Sequence, residues 1–333
     1  MKKILLSFAV FMTSLISTFA INKNTVEIIY NGTTATVSVA SNISSYVTVT
    51  SGSSSHVIIK QSEAFEGIDA TLDNEDGEII YSLSGSSNDG EFYMEGAFKC
   101  TVELNGLTLT NPSGPAINIQ NGKRIAVSAQ KGTVNTLTDG ANETYNGCLH
   151  IKGHTKMKGK GTLNIVGNSK HGIYSKEYLE IKNMTLNVNT SIKDAIHCKE
   201  YFLLESGNIS LNGAGDDGIQ VELSSDPATS ITTEHEEENT GNFYMTAGTL
   251  TISDYQGKAI KTDGSITYSG GTRNFNTDDT ETYTDIQTVS QASAANSAAV
   301  YDLKGRQLKA NAATGKGLFI IRKEGKAIKV IGK

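Results

Sequence analysis

The chain has 333 residues, a formal net charge of −6 and 38% hydrophobic residues, which allows one to three domains around a continuous core. Its nine Lys/Arg against Asp302 and Glu324 in residues 298–333 give that tail +7, so the body without the tail and without Lys2 and Lys3 stands near −15. Such a body repels nucleic acid and acidic polymers unless a cation intervenes.

Residues 1–20 carry Lys2 and Lys3, an apolar run ILLSFAVFMTSLI, and then Thr18 and Ala20 at the −3 and −1 positions of a cleavage site. This is the pattern of a secretory signal peptide, and no later segment is long and apolar enough to span a bilayer. Residues 21–95 read as an N-terminal β segment that caps the repeats beginning near residue 96.

From about residue 96 to 275 the sequence repeats. Ile173, Ile196 and Ile219 sit 23 residues apart, each after a small residue: Gly172, Ala195 and Gly218. Leu163, Leu186 and Ile209 keep the same step, as do Leu179 and Phe202. The triplets LNI, LNV, ISL and LTI, starting at Leu163, Leu186, Ile209 and Leu250, read in, out, in. A period of this size with several short strands per unit implies stacked coils that bury their apolar edges against one another. The expected fold is therefore all-β, a parallel β-helix with coils of about 23 residues. Between Ile219 and Ile260 the step is 41, and the 18 extra residues fall in the acidic, Ser/Thr-rich stretch 224–242, which should loop out.

Residues 276–297 read as a flexible linker. The tail, residues 298–333, alternates apolar and polar residues around Gly-centred turns, as a small β-module does. Its Val300-Tyr301-Asp302, Gly305-Arg306, Gly317-Leu318-Phe319-Ile320-Ile321 and basic end resemble the C-terminal sorting domain of the type IX secretion system of Bacteroidota. That resemblance implies export to the outer-membrane surface or medium, with the secretion machinery as a partner.

The repeat converts sequence into side-chain columns. Two positions before each ladder isoleucine stand His171, Asp194, Asp217 and Lys258, with Asp216 beside Asp217. If the coils stack, Asp194 and Asp217 are neighbours able to share a hard cation or a proton, and Gly213–Gly215 can present backbone carbonyls to the same ion. Asp194, Asp216 and Asp217 are the metal candidates, with calcium as the ion. The alternative is that these aspartates cap turns and that Lys258 balances Asp217. One position after the isoleucine lies an outward column of Asn118, His150, Tyr174, His197, Gln220 and Lys261. Of these, His150, Tyr174, His197, Gln220 and Lys261 are the carbohydrate-binding candidates: amides, imidazoles and an amine bond sugar hydroxyls, and Tyr174 could stack on a pyranose. Its alternative is a solvated sheet face. Cys148 and Cys198 occupy packing slots.

The motifs GTVNTLTD from Gly132, GKGTLNIVGNSKHGIYSKEYLEI from Gly159, DAIHCKEYF from Asp194 and DDGIQVE from Asp216 resemble a bacterial carbohydrate-binding domain family. The segments VEIIYNGTTATVSV and EFYMEGAFKCTVELNGLTLTNPSGPAINIQNGKRIAV resemble its Bacteroidota branch, so the likeness spans roughly residues 25–273. The family implies a right-handed parallel β-helix of pectate-lyase-like architecture, calcium on the helix, and plant cell-wall polysaccharide as ligand. The combined expectation is a secreted or surface-delivered monomer that binds polysaccharide without catalysis. Two rivals are a pectate-lyase-like β-eliminase and a structural surface adhesin. Elimination needs a lysine or arginine base, and the helix body holds only Arg124 and Arg273, leaving Lys258 or Lys261 beside carboxylates that raise a lysine's pKa. Inverting glycosidase chemistry needs carboxylates about 6.5–9.5 Å apart, wider than neighbouring coils place Asp194 and Asp217.

Overall fold

The computed structural model describes residues 21–62, 78–224 and 238–282, together with the backbone of four strands between 299 and 332. The expected signal segment 1–20, most of the acidic insertion (225–237) and the linker from 283 lie outside the described residues. The described part is all-β, built of long parallel sheets.

Three strands recur in each later coil. Thr162–Val166, His171–Ser175 and Leu179–Ile181 pair in parallel with Met184–Thr190, Ile196–Lys199 and Tyr201–Leu204. These pair in turn with Gly207–Asn212, Ile219–Glu222 and Asn242–Met245. The long strand Cys100–Asn111 bends near Gly106, whose φ of 77° suits a residue without a Cβ. Its first half pairs with Ile125–Ala129 and its second with Val134–Asp139, so one strand joins two faces of the stack.

The expected ladders are register partners. Phe92, Ile117, Leu149, Ile173, Ile196, Ile219 and Ile260 form one continuous inward column, each fully buried. Aliphatic alternation produces this because a one-residue slip would turn every isoleucine to the solvent. The column ends where Ile260 pairs with Thr280, and the parallel ladder Leu163, Leu186, Ile209, Leu250 ends on Arg273. Phe202 and Phe243 stack inside, centroids 5.1 Å apart, across the step of 41. Hence the insertion leaves the register intact. On the outside, Thr108, Thr136, Asn164, Asn187, Ser210, Thr251 and Asn274 align, and the Asn187 amide donates to Asn164 at 2.8 Å.

Parallel pairing is not confined to residues 96–275. His56–Gln61 pairs with Glu91–Gly96, and Thr25–Asn31 with Ile79–Ser87, which itself lies against Cys100–Asn111. At the other end Thr280–Thr282 pairs with Ile260–Thr262, so the segment expected to begin a linker at 276 instead starts by adding a strand. Linker composition, rich in Thr and Asp, hid a strand whose neighbour supplies the hydrogen bonds. Antiparallel pairs stand at the N-terminal end, between Thr25–Asn31 and Thr34–Val39 and between Val47–Val49 and His56–Gln61. In the tail, Ala299–Tyr301, Gln307–Leu308, Gly317–Lys323 and Lys326–Gly332 form a separate antiparallel sheet.

Candidate functional site

The outward column has the expected register: His150, Tyr174, His197, Gln220 and Lys261 are successive partners. Parallel strands lie about 4.8 Å apart, which is close to ring-stacking distance, so flat side chains in one column stack on each other. The Tyr174 ring lies 5.1 Å from His150 at 12° and 5.3 Å from His197 at 25°. Tyr145 sets its edge on His150 at 5.3 Å. Both faces of Tyr174 are therefore covered, and it is buried along with His150 and His197. The expected pyranose stack on Tyr174 is corrected by this packing: only ring edges remain for a sugar. Burial also lowers the His150 pKa to about 4, leaving a neutral imidazole.

The acidic cluster assembles at the turns before Ile196 and Ile219. Asp194, Asp216 and Asp217 each bring a carboxylate oxygen within 4.8 Å of the others. Asp194 Oδ1 accepts the Asp217 N–H at 3.1 Å, and its Oδ2 lies 2.9 Å from His197 Nδ1 and 3.2 Å from His171 Nδ1. Asp217 Oδ1 accepts the Lys258 N–H at 2.7 Å. Its Oδ2 is buried without a hydrogen bond, 3.5 Å from Lys261 Nζ. A Cβ on Gly257 would collide with both Asp216 Oδ1 and Asp217 Oδ1, so that glycine leaves the cradle open.

Two expectations are corrected here. Lys258 offers Asp217 only its backbone, because its ammonium reaches Asp279 at 3.0 Å; Lys261, from the outward column, is the ammonium beside Asp217. Asp194 and Asp217 also do not share a proton equally. Burial opposes ionisation of Asp194, but the imidazoles of His171 and His197 beside it outweigh that and hold the carboxyl well below its ordinary range. For Asp217, burial and then the charge of Asp194 prevail over the Lys258 N–H and raise it.

Residues that the sequence pattern did not single out cluster on a second face. His154, Glu177 and Glu200 also stand 23 apart, and His154 Nε2 lies 3.2 Å from Glu177, 3.5 Å from Glu200 and 3.5 Å from Glu238 at the foot of the insertion. Next to them runs a tyrosine strip. Tyr178 is stacked between His154 at 4.5 Å and Tyr201 at 4.7 Å, and Tyr244 meets Tyr201 edge-on at 6.3 Å. The Tyr201 hydroxyl donates to Glu180 at 2.7 Å, and Lys156 reaches the same carboxylate at 2.8 Å. Tyr201 and Tyr244 are half-buried. The 23-residue step from Tyr178 to Tyr201 was the available signal.

In structure the chain is similar to the polysaccharide lyase-like protein from C. thermocellum, solved as a gadolinium derivative. The TM-score is 0.52 at 19% identity, covering 78% of this chain and 99% of that one, a likeness of fold. No curated protein matches in sequence. The family model for carbohydrate-binding domain-containing proteins matches residues 66–329, nearly four-fifths of the sequence. On that extent of match, joined to a parallel β fold with polar columns on its outer faces, the chain belongs to the family of carbohydrate-binding domain-containing proteins.

Proposed function

We propose that this protein is a secreted or surface-displayed, calcium-assisted binder of plant cell-wall type polysaccharide, carried on a right-handed parallel β-helix of about 23-residue coils. The signal-like N-terminus and the tail resembling a type IX sorting domain supply the route. The observation that carries the reading is the family match over residues 66–329. The sugar would lie across the half-buried Tyr201 and Tyr244 with Lys156 and Glu180 beside them, since Tyr174 has no free face. Aromatic surface next to charged hydrogen-bonding groups is the usual composition of a sugar platform.

Calcium fits the cluster Asp194, Asp216 and Asp217: the buried Asp217 Oδ2 lacks a hydrogen bond, and Gly257 keeps the cradle open. These carboxylates are hard oxygen donors, the class this ion requires, and the bound ion would draw in an acidic glycan that the negative body otherwise repels. Of the two candidate bases for elimination, Lys258 has its ammonium bonded to Asp279, which raises its pKa and disfavours it in that role.

A panel of immobilised plant polysaccharides with and without chelator tests this. Retention on uronate-rich glycan in calcium, its loss in chelator, and weakening by Tyr201→Ala are the expected results. Growth of unsaturated-uronide absorbance in the same mixtures would establish an eliminase instead, and no retention on any glycan would leave the adhesin.

A further inference from the structure

His171, Asp194 and His197 come together from two neighbouring coils and two positions of the repeat, His171 and Asp194 sharing one column and His197 standing in the next. Asp194 Oδ2 stands 2.9 Å from His197 Nδ1 and 3.2 Å from His171 Nδ1, and the three donor atoms all lie within 4.8 Å of one another. A tetrahedral ion with bonds of about 2.0–2.1 Å has ligand-to-ligand edges of about 3.3 Å, close to both spacings. His171 Nδ1 is buried beside this point, 3.2 Å from Asp194 Oδ2, yet it satisfies no hydrogen bond there; its side chain is 9% exposed.

The surroundings support the same role. His197 presents Nδ1 inward while its Nε2 lies 3.4 Å from Glu222 Oε2, the arrangement in which a carboxylate takes the outer N–H of a ligating imidazole and fixes its tautomer. Both rings are held in place: their centroids are 4.6 Å apart, and Tyr174 packs against each, at 6.0 Å and 5.3 Å. None of the three cysteines, all buried, belongs to the cluster.

We propose that His171, Asp194 and His197 form a site for a borderline divalent transition-metal ion of the zinc class. Two imidazoles and one carboxylate suit zinc, copper, nickel or iron, whereas calcium takes oxygen ligands. Glu222 is a positioning residue for His197. The site is separate in ligand class from the calcium cluster, with which it shares Asp194, and it stands whether or not calcium binds.

The test uses the full chain without a histidine tag, stripped with chelator and titrated with zinc against a chromophoric indicator at about pH 7.5, where an ordinary imidazole is neutral. One zinc ion per chain should bind at micromolar or lower concentration. His171→Gln and Asp194→Asn should each weaken it at least a hundredfold, and Glu222→Gln by about 10- to 100-fold. Asp216→Asn should leave zinc binding unchanged while weakening calcium binding, so the failure of one site is read independently of the other. Should the His171 and Asp194 variants misfold, cobalt(II) loading of the wild type decides: visible d–d bands without a near-ultraviolet thiolate band are expected. No saturable zinc binding, binding unaffected by His171→Gln in a folded protein, or a thiolate signature would overturn the assignment.

Discussion

Ile196 gives the sharpest test of the stacking. It is fully buried between Ile173 and Ile219, while Ile192, four residues earlier in the same coil, is 59% exposed. Trimming Ile196 to alanine removes three carbons, about 2.4 kcal/mol at roughly 0.8 kcal/mol per buried methylene. The cavity left in a column that cannot close up adds to this, giving an expected loss of about 3–4 kcal/mol within the ordinary 2–5 range. Ile192→Ala should change stability by less than about 0.5 kcal/mol. The chain has no tryptophan, so far-ultraviolet circular dichroism in urea is the assay. At a slope of about 3 kcal/mol per molar, Ile196→Ala should move the midpoint by roughly 1 M and Ile192→Ala by very little. Equal shifts for the two would refute the inward register of this strand.

Gly218→Ala should cost about 1–3 kcal/mol by overpacking, since a Cβ there would lie 2.5 Å from Ile252 Cγ2 and 2.6 Å from the Ala259 carbonyl oxygen; thermal melting checks it. If calcium binds the aspartate cluster, a hundredfold excess over Kd should stabilise the wild type by about 2.7 kcal/mol, and Asp217→Asn should remove most of that gain in a melt with and without chelator. Glu177 has its pKa raised to about 7, by burial first and then by Glu200, and the carboxylates around His154 raise that imidazole despite its burial. Both groups hold protons more tightly in the fold than in the unfolded chain: the contribution of Glu177 is full below about pH 4.5 and is lost as pH rises through about 7, whereas that of His154 is full below its ordinary value of about 6.5 and is lost only at higher pH. Allowing for partial exposure, Glu177 should account for about 1–2 kcal/mol of that loss, and Glu177→Gln should flatten the pH profile of urea midpoints between 5 and 8.

Aliphatic residues were readable in advance because burial leaves them one option per strand: Ile173, Ile196 and Ile219 must all face in or the coil has no core. Column membership of His150, Tyr174, His197, Gln220 and Lys261 came from the same step. Their surroundings did not. Whether Tyr174 meets a sugar or two imidazoles depends on the size and flatness of its neighbours in the column, and which lysine serves Asp217 depends on how far each stem reaches across a turn. Asp194 and His171 share a column at the 23-residue step, but the contact of Asp194 with His197 crosses between columns, so no single period reports the cluster of three. His154, Glu177 and Glu200 did carry the 23-residue step, but a polar column has no burial requirement to single it out from solvated positions.

The two inward ladders finish on Arg273 and Thr280, and Arg273 lays its guanidinium over Tyr268 at 4.4 Å. A stack of parallel coils is an unfinished crystal in one dimension: its last rung exposes the same backbone donors and acceptors that joined every rung before it. With an aliphatic residue at the end of each ladder, another chain could dock there and repeat the process without limit. A cation and a hydroxyl in those places would have to be stripped of water by any incoming rung, which makes such end-to-end growth costly.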